Sequence, residues 1–134
     1  MGWRMKRKCL FLLVALCLAA CHESTPDEVV KESLKAALEA LERGDYEGYL
    51  QHVDIGVPMD SVQRVVMLDA LRQHQEWQRA ERPSVVAVDV VDAQFEDDSV
   101  CLAYCQYTFA DSTKEVVWHK MIRHGGEWKI RLRN

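Results

Sequence analysis

The residues of this 134-residue chain that could carry acid–base or metal chemistry are scattered. His52, His74, His119 and His124 fall on two helices, a strand and a turn by sequence pattern. No two have the four-residue spacing that sets a pair of imidazoles on one helix face around zinc. They read as surface or rim histidines. His119 alone invites a chemical reading, because two-residue alternation puts it on one face with Val117 and Met121 and sends Trp118 and Lys120 to the other. Turned into a cavity beside an aspartate, it would form a general acid–base pair. Asp89 and Asp92 interrupt a valine-rich run, and the same alternation places them on opposite faces. Asp89, sharing its face with Val91, is the better candidate for a buried polar group, the alternative being a solvated sheet face or strand edge. Tyr46, Tyr49 and Trp77 would supply either an aromatic rim for a ligand or ordinary core. The candidate pocket lining is therefore Tyr46, Tyr49, Trp77, Asp89 and His119, with no residue assigned as catalytic and no metal or cofactor expected. The acidic run Glu96, Asp97 and Asp98 lacks the twelve-residue loop of a calcium hand and reads as a solvated turn.

Cysteine usage points to the compartment. Cys101 and Cys105 stand four apart, which on a continuous strand separates them by about 13 Å on one face, against a limit of about 7 Å between the Cα atoms of a disulfide. Two buried, reduced thiols packed with Ala103 are expected, although exported pairs are usually bridged. The remaining cysteines, Cys9, Cys17 and Cys21, belong to the leading segment.

That segment carries Arg4, Lys6, Arg7 and Lys8, followed by an apolar run from Cys9 to Ala20. The order is that of a secretory signal, and the run is shorter than the about 20 residues a membrane-spanning helix needs. Ala19 and Ala20 would suit an ordinary signal peptidase. Leu18, Ala19, Ala20 and Cys21 together resemble the lipobox of bacterial lipoproteins, which implies cleavage between Ala20 and Cys21, diacylglyceration of the Cys21 thiol and acylation, as with palmitate, of its new amino group. Two or more acyl chains anchor durably where one binds only weakly. His22, rather than an aspartate, follows the cysteine, which by the same resemblance implies the outer membrane. The expected organisation is a signal peptide over 1–20, a lipidated tether over 21–25 and a single domain over 26–134. Losing residues 1–20 removes four of 17 basic and none of 21 acidic residues, which takes the formal charge from −4 to −8. An acidic body argues against nucleic acid or anionic lipid as the main partner.

Helix signals open at Thr25, with Pro26 at the position that tolerates a missing N–H and Glu28 completing a capping box. Val30, Leu34, Ala37, Leu38 and Leu41 form an apolar stripe that stops at Gly44. Asp45 can cap a short helix bearing Tyr46, Tyr49 and Leu50. After Gly56 and Pro58, a third helix runs from Asp60 or Ser61 to about Arg82, with Val62, Val65, Val66, Leu68, Leu71 and Trp77 at helical spacing. Pro83 closes the helical half. The period then becomes strand-like, giving strands over 84–95, 100–109, 114–123 and 128–133. The fold class predicted is α+β, with three N-terminal helices packed on a four-stranded antiparallel meander.

The run from Ala37 to Leu50, with the Gly126, Glu127, Trp128, Lys129, Ile130 ending, resembles small bacterial lipoproteins of uncharacterised function that carry a nuclear-transport-factor-like domain, also called cystatin-like or ketosteroid-isomerase-like. The resemblance implies a cone formed by helices over a curved sheet. It implies a non-enzymatic module of the cell envelope (outer membrane, periplasmic side or surface) that binds a small ligand or an envelope protein. A hydratase- or isomerase-like enzyme using the cone, or a structural adaptor dimerising through its sheet, are the rivals. An exposed apolar patch drawn from Val88, Val90, Val116 or Trp118 would favour the adaptor.

The purified membrane-bound protein is expected to begin at Cys21 and to carry acyl mass by mass spectrometry, and Cys21→Ala to stay unprocessed or leave the membrane. An unmodified Cys21 would remove the anchor.

Overall fold

The computed structural model describes residues 25–132, so the expected cleavage and lipidation at Ala20 and Cys21 lie outside the described residues. Helix α1 spans Pro26–Glu42 and starts as its sequence dictates. The Glu28 N–H donates to Thr25 Oγ1 at 3.2 Å and the Thr25 N–H to Glu28 Oε2 at 3.4 Å, so two otherwise orphaned donors are satisfied reciprocally. Its far end closes at Gly44, whose φ of +82° lets the Asp45 N–H reach back to the Ala40 carbonyl at 2.9 Å. Val30, Leu34, Ala37, Leu38 and Ala40 are buried along its inner side. Helix α2, Tyr46–Gln51, follows at once, capped by the Asp45 carboxylate, which accepts the Gly48 N–H at 2.9 Å.

Five strands form the sheet rather than the four expected: β1 Val53–Asp54, β2 Val85–Asp97, β3 Val100–Phe109, β4 Lys114–His124 and β5 Glu127–Arg131, in the order β1-β5-β4-β3-β2. The extra strand is β1. It has two residues and pairs parallel with β5, placing Val53 opposite Ile130 and Asp54 opposite Arg131. Too short for any periodicity, it exists because the Ile130 N–H finds the His52 carbonyl at 2.7 Å. The other four strands form the antiparallel meander.

Alternation along β3 sorts the sheet into two faces. Cys101, Ala103, Cys105, Tyr107 and Phe109 are buried, and the residues between them are half-buried on the other side. Helix α1 lies against β2, β3 and β5 on the buried side, and the core gathers there with Leu50, Met121, Trp128 and Ile130. Three irregularities interrupt the β2–β3 register, one of them between Val90 and Asp92. It inserts an extra residue and resets the alternation. Asp89 opposite Gln106 and Asp92 opposite Tyr104 therefore share the outer face, contrary to the expectation that they lie on opposite ones.

The long helix α3, Ser61–Glu81, is capped at Asp60 by a reciprocal pair with Gln63. Its predicted stripe proves to be two. Met67, Leu68 and Leu71 pack against the core, whereas Val62, Val65, Val66 and Trp77 are 60–71% exposed on other sides of the helical wheel. Polar links fix the helix to the body. The buried Gln75 amide donates to the Leu41 carbonyl at 3.4 Å, Arg79 to the Glu42 carbonyl at 2.8 Å, and the Arg64 Nε–H to Glu47 at 3.1 Å. Leu34→Ala, at a fully buried position, is expected to cost about 2–5 kcal/mol in urea unfolding, against about 0.5 kcal/mol or less for the exposed Val66→Ala. Equal losses would show that Val66 is covered.

Candidate functional site

The five expected pocket residues do not converge. His119 does face inward, opposite Ala103 in β3 and between Val117 and Met121. Its ring is largely buried, its Nε2 has no hydrogen-bond partner, and burial lowers its pKa below the ordinary histidine value. Asp89 is exposed on the opposite face of the sheet, so it can neither be a buried polar group nor pair with His119. Tyr49 is 5% exposed and belongs to the core, where burial raises its pKa. Tyr46 instead borders a groove of about 370 Å³ with Leu68, Asp69 and Arg72. Trp77 stands in solvent, stacked on His74 at 6.2 Å between ring centroids. The rim dissolves because α2 presents its two tyrosines to different surroundings and α3 turns Trp77 away from the body. Cys101 and Cys105 are buried free thiols, and burial first of all pushes both pKa values up to about 11. Such thiols are poor nucleophiles at neutral pH.

The arrangement that decides the architecture is now complete: a long first helix, a short second and a long third gathered on the inner face of a curved meander. The fold is NTF2-like. A Campylobacter jejuni protein provisionally designated an NTF2-like transpeptidase superposes with a TM-score of 0.61 at 12% identity, over 76% of this chain and 96% of that one. A weaker superposition, TM-score 0.45 at 19% identity over 77% of this chain and 84% of the other, involves a protein from Kribbella flavida DSM 17836. No protein-family model and no curated protein sequence gives a significant match.

The polar chemistry of this NTF2-like domain lies on its outer face. His124 Nε2 sits 2.7 Å from Asp54 Oδ2, and the Gly56 N–H donates to the other oxygen, Oδ1, at 2.7 Å. A histidine–aspartate pair therefore exists, at the junction of β1 with the end of β4 and not inside the cone. It borders two grooves. One, of about 580 Å³, is formed by Asp54, Gly56, Ser99, Val100, Ile122, Arg123, His124 and Arg131; the other, of about 280 Å³, is edged by Ile55, Val57 and Met59. Sequence gives no sign of this site, because Asp54 reaches His124 only through the parallel pairing of β1 with β5. Among the described residues no group of three or more metal-ligating side chains occurs.

Along the same face runs an apolar strip. Trp118 is 60% and Val116 59% exposed, with Tyr104, Gln106 and Leu102 opposite or beside them on β3. Val88 and Val90, expected to join this patch, point inward instead; Val88 is 8% exposed. Charge is divided about the strip: Asp89 and Asp92 lie to one side on β2, Lys129 and Arg131, with Glu127, to the other on β5, and Lys114 and Lys120 at its two ends on β4 itself.

The buried His119 yields a pH test. Its folded pKa is depressed, so below the unfolded value of about 6.5 the unfolded chain takes a proton that the folded chain resists. Stability is unaffected well above that pH and falls as pH drops through it, by up to about 1.4 kcal/mol per pH unit for one proton. Melting temperatures measured from pH 7.5 to 5.5 should fall less steeply for His119→Leu than for wild type. Parallel curves would mean that His119 is solvated.

Proposed function

We propose that this chain is a lipid-anchored protein of the bacterial envelope, held to the outer membrane by acyl chains on Cys21, and that its NTF2-like domain works by binding a protein rather than by catalysis. The observation that carries the binding half is the exposed Trp118 in the middle of a regular strand, with Val116 beside it. Large apolar side chains grouped on an otherwise polar sheet face mark contact surfaces, and tryptophan is the residue type most enriched where contacts are strong. A non-enzymatic reading is further supported by the inner face, where Cys101, Ala103, Cys105 and Met121 are fully covered and the inward histidine's Nε2 has no hydrogen-bond partner among the described residues. The lipid anchor rests on the lipobox-like residues 18–21 and the basic, apolar segment before them. No described helix is long and apolar enough to cross a membrane.

A second copy of the chain is the partner that the charge layout favours. A two-fold axis running along the strands would lay the acidic β2 flank of one copy over the basic β4–β5 flank of the other, twice, around the paired Trp118 side chains.

Trp118→Arg is expected to weaken association of the membrane-held protein, whether with itself or with an envelope protein, by about 2 kcal/mol or more, roughly thirtyfold. Chemical crosslinking in membranes and sedimentation of the purified protein read this out. Unchanged crosslinks in a variant that keeps its melting temperature would sink the proposal, and a crosslinked mass of two chains would single out the self-pairing form.

A further inference from the structure

The His124 groove holds more positive charge than its own carboxylate uses. Asp54 lies directly opposite Arg131 in the β1–β5 register and would be the natural partner of that guanidinium. Its oxygens instead meet other groups, Oδ2 the His124 Nε2 and Oδ1 the Gly56 N–H, and it forms no ion pair with Arg131 among the described residues. Among the described residues, Arg131 and Arg123 have no ion-pair partner, although the chain carries more acidic than basic residues. Arg123, opposite Trp128 in the strand register, also borders a second groove with Asp27, Asp97 and Asp98, but Asp27 pairs with Lys31, Asp97 receives the Ser99 N–H at 2.7 Å, and no ion pair joins Arg123 to any of them among the described residues. Glu127 stands opposite His124 in the register with no ion pair of its own among the described residues.

Two unmatched guanidiniums and an imidazole positioned by Asp54 thus border one groove of about 580 Å³. That size falls within the range of small-molecule sites. Guanidinium groups bind carboxylate and phosphate in forked, two-bond geometry, the strongest hydrogen bonding that side chains offer. The groove is not wholly polar, since Val100 and Ile122, paired across β3 and β4 on the outer face, line it too. We propose that this groove binds a small amphiphilic anion, a carboxylate or phosphate monoester whose head lies between Arg123, His124 and Arg131 and whose short apolar body rests on Val100 and Ile122. The site is independent of the Trp118 strip and of the lipid anchor. Asp54 acts in it as a positioning residue that orients the imidazole.

Hydrogen-exchange mass spectrometry of the protein as isolated tests this, in phosphatidylcholine nanodiscs if it is acylated and free in buffer if it is not. Octyl phosphate is the probe. Saturable protection of segments containing Gly56, Ser99 and Ile122 to Arg131 is expected. Arg123→Gln and Arg131→Gln should each shift half-saturation by roughly tenfold. Octanol should protect weakly and inorganic phosphate more weakly than octyl phosphate. Protection without added probe when the nanodiscs contain phosphatidic acid, a phosphate monoester, would identify a lipid headgroup as the source of the anion, whereas protection by octyl phosphate alone would identify a free ligand. Equal protection by octanol, binding unchanged in both arginine variants, or no saturable protection by octyl phosphate would each overturn the assignment.

Discussion

Everything in this domain hangs on the contact between the apolar stripe of α1 and the small side chains in the middle of β3. Cys101, Ala103 and Cys105 present a low surface to that helix, and Val30, Leu34, Ala37 and Leu38 are almost completely withdrawn from water against it and its neighbours. Larger residues on β3 would hold the helix off the sheet, and smaller ones on α1 would leave voids that a close-packed interior tolerates poorly. The thiols therefore act chiefly as volume. Their raised pKa values are a by-product of the same close approach.

The two faces of the sheet divide the labour that follows from this packing. The inner face is spent on folding, so that even its histidine is buried without a partner. Among the described residues no helix packs over the outer face. It keeps a tryptophan, a tyrosine and two opposed sets of charges in view of solvent, and at one end it collects arginines around a histidine that an aspartate holds in place. The proposed recognition sites are thus both on surfaces, whereas the interior of the cone is packed.

Where the chain's own local physics set the outcome, the sequence could be read. The Thr25 capping box, the start of α3 at Asp60, the Gly44 stop, the α1 stripe, the inward turn of His119 and the meander are signals carried within a few residues. What escaped depended on relations between distant segments. Two-residue β1 has no pattern of its own and exists only through β5. The irregularity beside Val91 moved Asp92 to the same face as Asp89, and with that the expected buried aspartate became a solvated one. The stripe on α3 mixed two faces, because valines at helical spacing do not say which side the body will take. The Asp54–His124 pair, which frames the candidate anion site, joins segments that no spacing rule connects.

The edges of the sheet bear on the behaviour of many copies crowded together. One edge is β1, only two residues long, and the other is β2, a thirteen-residue strand interrupted three times along its pairing with β3. An uninterrupted, flat edge of that length would be a template on which further chains could add strand by strand. Kinks spoil the straight row of donors and acceptors that such growth requires. Copies gathered in a single plane, as the proposed lipid anchor would gather them, would meet at high local concentration and in a shared orientation, the circumstances that most reward edge-to-edge polymerisation. Broken on one side and nearly absent on the other, these edges offer little to growth by strand addition, which disfavours filaments.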